Sequence, residues 1–345
     1  MRRLLLLLLA GLLALAAVGC SDDGDGTTAE GTAPASDDPS TTAAGSDATT
    51  AAPAEGAASP LGTYEVSEAR RTWVDTTRTT PAHGGQPELP ERTLDVVVYA
   101  PEGEPGPWPL IVFGHGSSRA GDHYEGTLSA WASAGYVIVA PDFPLSSEGT
   151  PGGTKFDEVE NQTGDVSFLI DTALADLGPD GGDEELGGIV DAERIGVGGQ
   201  SFGAITALSV GFNACCADPR IDVVTEFAGI WFPLSSEEQD PSTTDRPLLM
   251  FHGGADTGPD TATPISAALM AWEDVIDAPG GFITLTDAVH DDGYFDGPVD
   301  DWGTVVTEAT LAFYDAHLKD DATGWDRVVA AVDDAGPDVA TLQER

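Results

Sequence analysis

Arg194-Ile195-Gly196-Val197-Gly198-Gly199-Gln200-Ser201-Phe202-Gly203-Ala204-Ile205-Thr206-Ala207-Leu208 is the stretch that decides the fold. Residues 194–198 read as a buried strand and residues 202–211 as a helix of small residues, with a G-x-S-x-G turn between them. A strand-to-helix turn this sharp holds its serine in a strained conformation and leaves no room for neighbouring side chains, hence glycines at 199 and 203. The turn lifts the Ser201 hydroxyl off the sheet edge and aims the helix N-terminus at negative charge forming beside it. Ser201 is therefore the candidate nucleophile, and the Phe202 N–H is a candidate oxyanion donor.

On both sides of this stretch the pattern alternates. Residues 92–99 and 109–113 are β-branched runs bounded by Pro and Gly, and residues 136–140 form an apolar run ending at Pro141, the mark of a strand buried on both faces. Helical spacing covers residues 123–134 and 165–177. Further strands are expected at 221–227, 247–251 and 281–285, with helices near 264–276 and 304–318. Strand–helix alternation predicts an α/β domain with a mostly parallel central sheet and helices on both faces. The strands before Ala100 lack intervening helices, so the sheet should open antiparallel. No internal repeat is visible.

Active sites of such sheets lie beyond the carboxyl ends of the strands, and two more loops there carry reactive groups. Phe113-Gly114-His115-Gly116-Ser117-Ser118 follows an early strand, and Ser117 is the candidate for the second oxyanion N–H. His115 is read as a residue that shapes this loop rather than a base. His252-Gly253-Gly254-Ala255-Asp256 and Asp287-Ala288-Val289-His290-Asp291 close two later strands. The order Ser201, Asp256, His290 is that of a nucleophile, acid and base set on a sheet of this type. Of the six histidines only His290 follows a late strand and opens an acidic, glycine-containing loop, which makes it the candidate base. Asp256 is preferred as the acid over Asp260, which heads into the next helix, and over Asp287, which sits too close to His290 in sequence. A calcium site from Asp291, Asp292 and Asp296 is the rival reading of that loop, but it lacks calcium-loop spacing. No metal and no organic cofactor is expected.

The chain has 345 residues, 41% of them apolar, enough for a sizeable core. Its 14 Lys and Arg face 59 Asp and Glu, a formal net charge of −45, and such a surface repels phosphate backbones, so a nucleic-acid partner is excluded. The acidity reads as a solubility or high-salt adaptation. Met1-Arg2-Arg3 and the apolar run 4–18 form a signal sequence too short to span a membrane. It ends in Ala17-Val18-Gly19-Cys20, which resembles a bacterial lipobox with Ala17 where Leu is usual. The resemblance implies lipidation of Cys20 and anchorage at the outer face of the cell membrane, with secretion as the alternative. Residues 1–19 are thus the signal peptide. Residues 20–60 are the lipidated cysteine and a flexible tether of Ser, Thr, Ala, Gly, Pro and acidic residues reaching roughly 35 Å. Residues 61–345 are the catalytic body. Cys215 and Cys216 are adjacent, and their Cα atoms fall below the usual disulfide range, so two packed thiols are expected, with a vicinal disulfide as the alternative outside the cell.

From residue 109 to 318 the chain resembles the α/β-hydrolase superfamily, and within it the platelet-activating-factor acetylhydrolase-like, chlorophyllase-like and polyester-hydrolase or cutinase-like esterases. The residues that carry the resemblance are His115-Gly116-Ser117, Gly199 to Gly203, Phe227-Ala228-Gly229-Ile230-Trp231-Phe232-Pro233-Leu234, Gly253-Gly254-Ala255-Asp256 and Val289-His290. It implies an α/β-hydrolase fold and a serine esterase. Three departures stand out: Gln200 replaces the usual His, no Asp occurs on the strand that supplies the acetylhydrolase acid, and Ser201 replaces the Cys of dienelactone hydrolases. In polyester-hydrolase-like relatives an aromatic residue at the position of Trp231 contacts substrate, which implies that role for Trp231. Residues 228–247 leave space for a loop but no cap domain, so an open cleft favouring short-chain or polymeric esters is expected. The expected state is a monomeric ester hydrolase. Its rivals are a serine peptidase and a non-catalytic surface binding protein on the same fold.

Overall fold

A computed structural model describes residues 62–103, 105–234, 245–258 and 263–345. Cys20, the signal peptide, the tether and Asp260 lie outside the described residues. Among the described residues nine strands form one sheet: β1 (Val66–Asp75), β2 (Arg92–Pro101), β3 (Trp108–Gly114), β4 (Val137–Asp142), β5 (Val190–Gly199), β6 (Val223–Phe227), β7 (Leu248–Gly253), β8 (Gly280–Leu285) and β9 (Ala340–Glu344). Their spatial order is β1-β2-β4-β3-β5-β6-β7-β8-β9. The pairs from β4 to β8 are parallel, whereas β1–β2, β2–β4 and β8–β9 are antiparallel. The sheet therefore opens antiparallel, as expected, and also closes so.

Every residue of β6 and β7 is buried, which explains their unbroken apolar reading: helices cover both faces of the central strands. One layer holds α2 (Val159–Leu177) and α3 (Phe202–Phe212); the other holds α1 (Glu125–Ser133), α5 (Asp301–Leu318) and α6 (Gly324–Ala335). The short α4 (Ile265–Met270) follows β7. Every residue of α3 except Ile205 is buried, so its small side chains let it lie close on β5 and β6. Asp300 caps α5 by accepting from the Gly303 N–H at 2.6 Å. On the second face the core is aromatic: Trp131 meets Phe113 and Tyr314 edge-on, and Phe227 stacks on Phe251. Among the described residues no helix is long and apolar enough to cross a membrane.

Several elements depart from the sequence reading, and one of them, α6, has no counterpart in it. β1, VSEARRTWVD, and β9, ATLQE, are polar edge strands whose pairing partners, not their own pattern, make them strands. Helix α2 begins six residues before the expected 165, because Glu158, Gln162 and Asp165 are buried polar residues that broke the apolar pattern. Cys215 and Cys216 are not packed thiols but a disulfide. They sit in the turn after α3, and the bond forms between neighbours whose Cα atoms are 3.8 Å apart.

Candidate active site

The elbow is built by backbone contact. β3 and β5 run in parallel register with Gly114 beside Gly199, and α3 leaves β5 immediately afterwards. A Cβ on Gly203 would fall inside the Gly114 carbonyl, and one on Gly199 inside the Gly203 carbonyl. Between these glycines Ser201 takes φ 55°, ψ −112°, a strained conformation for a residue with a side chain. The bonds Ser201 N–H to Phe227 O at 2.8 Å and Gly203 N–H to Gln200 O at 2.9 Å hold it there. The sheet thus supports the elbow from both neighbouring strands.

Ser201 meets His290 across the cleft. The His290 ring lies with Nε2 2.8 Å from Ser201 Oγ and Nδ1 2.8 Å from Asp256 Oδ2. The carboxylate only accepts, so Nδ1–H donates to Asp256, leaving Nε2 as the acceptor that faces the Ser201 hydroxyl. Asp256 is almost fully buried, and His290 is about one-third exposed. Thr263 Oγ1 lies 3.3 Å from Nδ1 while donating to Ala228 O at 2.8 Å, and His252 Nε2 lies 3.3 Å from Asp256 Oδ2. A buried carboxylate beside a partly exposed imidazole leaves the second ring nitrogen open to a substrate. Asp287, by contrast, is exposed at φ 58° with its backbone turned left-handed, and no hydrogen bond or ion pair joins it to His290 among the described residues.

The oxyanion loop is held at several points. Gly116 N–H donates to Tyr124 OH at 2.9 Å, Ser118 N–H to Ser146 O at 2.7 Å, and Ser117 Oγ pairs with Thr154 Oγ1 at 2.7 Å. The N–H groups of Ser117 and Phe202 donate to no acceptor among the described residues. An ideal Cβ on Gly116 would lie 3.3 Å from Ser201 Cβ, which places this loop against Ser201. His115 is fully buried, with Nδ1 2.7 Å from Gly116 O and Nε2 accepting from the Phe143 N–H at 3.0 Å. Burial pushes its imidazole down to about 4, so it stays neutral and structural. Arg119, next on the loop, bonds Asp291 at 2.7 Å and covers Phe295 at 4.6 Å, tying the loop to the base segment.

Trp231 lies on the segment after β6 and is 8% exposed. Two exposed apolar side chains neighbour site residues: Phe156, 37% exposed and edge-on to Phe202, and Val289, 50% exposed and preceding His290 in sequence. Asp291 pairs with Arg119, and Asp292 accepts from the Val289 N–H at 2.9 Å, so two of the three carboxylates in the rival calcium reading are engaged by protein. Four residues around the site escaped the sequence reading: His252 and Thr263 beside Asp256, Tyr124 beside Gly116, and Glu226 beneath the elbow. Burial pushes the Glu226 carboxyl up to about 8; one oxygen accepts from the Gly229 N–H and the other has no partner among the described residues. Only His252 stood inside a stretch already singled out. Thr263, Tyr124 and Glu226 have no motif, and only tertiary contact reveals them.

The sequence profile of the family described as Chlorophyllase matches residues 67–226, which include Ser117 and Ser201 and stop short of Asp256 and His290. Among solved structures, the chain is similar to a ferulic acid esterase from Streptomyces cinnamoneus. The TM-score is 0.60 and the identity 20%, and the match covers 83% of this chain and 98% of that one. No curated protein matches the sequence.

Proposed function

We propose that this chain, which has an α/β-hydrolase fold, is a carboxylic ester hydrolase working by a serine mechanism through an acyl-enzyme. Ser201 Oγ attacks the acyl carbon while His290 Nε2 takes its proton. Asp256 orients the imidazole and stabilises the imidazolium. The N–H groups of Ser117 and Phe202 hold the oxyanion of the tetrahedral intermediate, aided by the α3 N-terminus. On collapse the imidazolium returns the proton to the leaving alcohol; water then attacks the acyl carbon as His290 takes its proton, and the imidazolium passes that proton to Ser201 Oγ as the carboxylic acid leaves. The observation that carries this reading is the His290 ring, 2.8 Å from Ser201 Oγ on one side and 2.8 Å from Asp256 on the other.

The cleft is open, with Phe156, Val289 and the exposed part of Trp231 lining substrate of short acyl length or presented by a polymer. The body works outside the cytoplasm, anchored through a lipid on Cys20. A fluorophosphonate should label the wild-type protein and not Ser201→Ala, and nitrophenyl esters of graded length should turn over fastest at short acyl chains. Labelling that survives in Ser201→Ala would overturn the assignment of the nucleophile. Full turnover and full stability in Trp231→Ala would remove that residue from substrate contact, and long-chain preference with interfacial activation would exclude the open cleft. Cys20→Ser should move the protein from the membrane fraction to the medium; an unchanged distribution would refute the anchor.

A further inference from the structure

Gln200 occupies the variable position of the Gly199–Gly203 turn, where nothing in the chemistry above needs a particular side chain. Yet it is 1% exposed, and its amide reaches the other two loops of the site. Its Oε1 accepts from Tyr124 OH at 2.9 Å, and its Nε2 donates to the His290 carbonyl at 3.3 Å. Tyr124 OH in turn accepts from the Gly116 N–H at 2.9 Å. The direction of this chain is forced. Gly116 N–H only donates, so the phenol oxygen must accept there and send its own proton to Oε1. That leaves the NH₂ end of the amide for the His290 carbonyl. Tyr124 is fully buried, its ring packed between Phe113 and Phe295 at 4.9 and 4.8 Å, so the hydroxyl has no freedom to turn elsewhere.

The far side of the loop is held as well. Ser118, at φ 57°, donates to Ser146 O, and Ser146 Oγ accepts from Gln162 Nε2 at 2.7 Å. Gln162 Oε1 accepts from Thr206 Oγ1 on α3 at 2.5 Å. The residues on both sides of Ser117 thus have their N–H groups tied down, and the Ser117 N–H between them is left without a protein acceptor among the described residues. A donor aimed in this way at a position where charge develops is a preorganised one.

We infer that Gln200 and Tyr124 act as one positioning relay: from inside the nucleophile turn, they set the Ser117 N–H and the His290 backbone relative to Ser201. Neither touches substrate; both act through the groups that do. This inference rests on the serine-hydrolase reading above. A displacement of about 1 Å in such a constellation costs on the order of 10²-fold in rate.

The test pairs Tyr124→Phe, which keeps the ring and deletes the hydroxyl, with Gln200→Leu, which keeps the bulk and deletes the amide. Turnover of a nitrophenyl ester is measured well below each variant's thermal midpoint. Tyr124→Phe should lower kcat about 100-fold and Gln200→Leu about 30-fold, with KM within about twofold of wild type in both. The double variant should lose no more than Tyr124→Phe alone, because one relay is broken once. A kcat within threefold of wild type in either folded variant overturns the inference. So does a double variant whose losses multiply, or a loss that appears in KM with kcat intact. If Tyr124→Phe does not fold, Gln200→Leu is judged by the same limits. Ser201→Ala, run in parallel, separates the two levels: if it retains turnover, the serine reading itself fails, whatever the relay variants do.

Discussion

The nucleophile half of the site and the acid–base half are built in different ways. Ser201, Phe202 and Ser117 stand where β3, β5 and α3 come into backbone contact, and the geometry is set by what cannot fit: no Cβ is tolerated at Gly199 or Gly203. His290 and Asp256 stand on loops after β8 and β7 and are set by side-chain hydrogen bonds, with Thr263 and His252 completing the surroundings of the acid. A family profile follows the first half and ends at residue 226, before the second. Steric necessity leaves a local motif, whereas hydrogen-bond reach is met from many backbone positions and leaves a sparse one. The physical corollary is that stability and activity should be coupled in the nucleophile half and separable in the acid–base half.

The sharpest break of that comparison is at Asp256. Asp256→Asn should cut kcat by roughly 10⁴ with the thermal midpoint little changed, since the imidazole then samples the wrong tautomer in an intact fold. Asp287→Asn, altering an exposed carboxylate, should cost less than about tenfold, and the same limit is expected for Asp260→Asn. If Asp287→Asn is the inactive protein and Asp256→Asn the active one, the acid is misassigned. Gly203→Ala tests the other half. Its Cβ has no space beside Gly114, so we expect roughly a 10²-fold loss of turnover together with a fall of about 10 °C in the midpoint. A stable but inactive Gly203→Ala would erase the distinction drawn here.

A smaller effect is expected at Glu226, beneath the elbow. Its folded pKa, pushed up to about 8, stands above the ordinary carboxyl value, so the folded state holds a proton that the unfolded chain releases. Stability should therefore fall as pH rises toward 8, and the cost is complete above it. His115 acts in the opposite sense, because its neutral buried form costs stability only below its unfolded value near 6.5. Midpoints measured from pH 6.5 to 9 thus isolate Glu226: the wild type should lose ground against Glu226→Gln as pH rises, and parallel curves would refute it. The smallest effect concerns salt. With a net charge of −45, the midpoint should rise by a few degrees between low and molar NaCl as screening weakens self-repulsion, and a flat or falling midpoint counts against this.

Much of the architecture was legible in the chain because buried strands such as Val137–Asp142 and Leu248–Gly253 are apolar over most of their length, and because Gly199 and Gly203 admit no substitute. Those features are local: burial on two faces and a backbone clash are written at the positions that suffer them. The order Ser201, Asp256, His290 was legible for a related reason, since each residue follows a strand and the sheet's topology carries strand ends to one edge. What the chain did not disclose is everything that depends on reach across the fold. β1 and β9 are strands because a neighbouring edge offers partners, and the polar start of α2 is buried because Arg92, 66 positions before Glu158, pairs with Glu158 and Asp165 in the interior. The sequence favoured Asp256 over Asp287 by position alone, but the 2.8 Å contact to His290 and the parts of Gln200, Tyr124 and Glu226 depend on which polar atoms meet in the folded chain. Hydrogen bonds between residues far apart in sequence impose no periodicity and demand no residue type at a given spacing, so only the folded chain, by bringing the two ends within 3 Å, decides them.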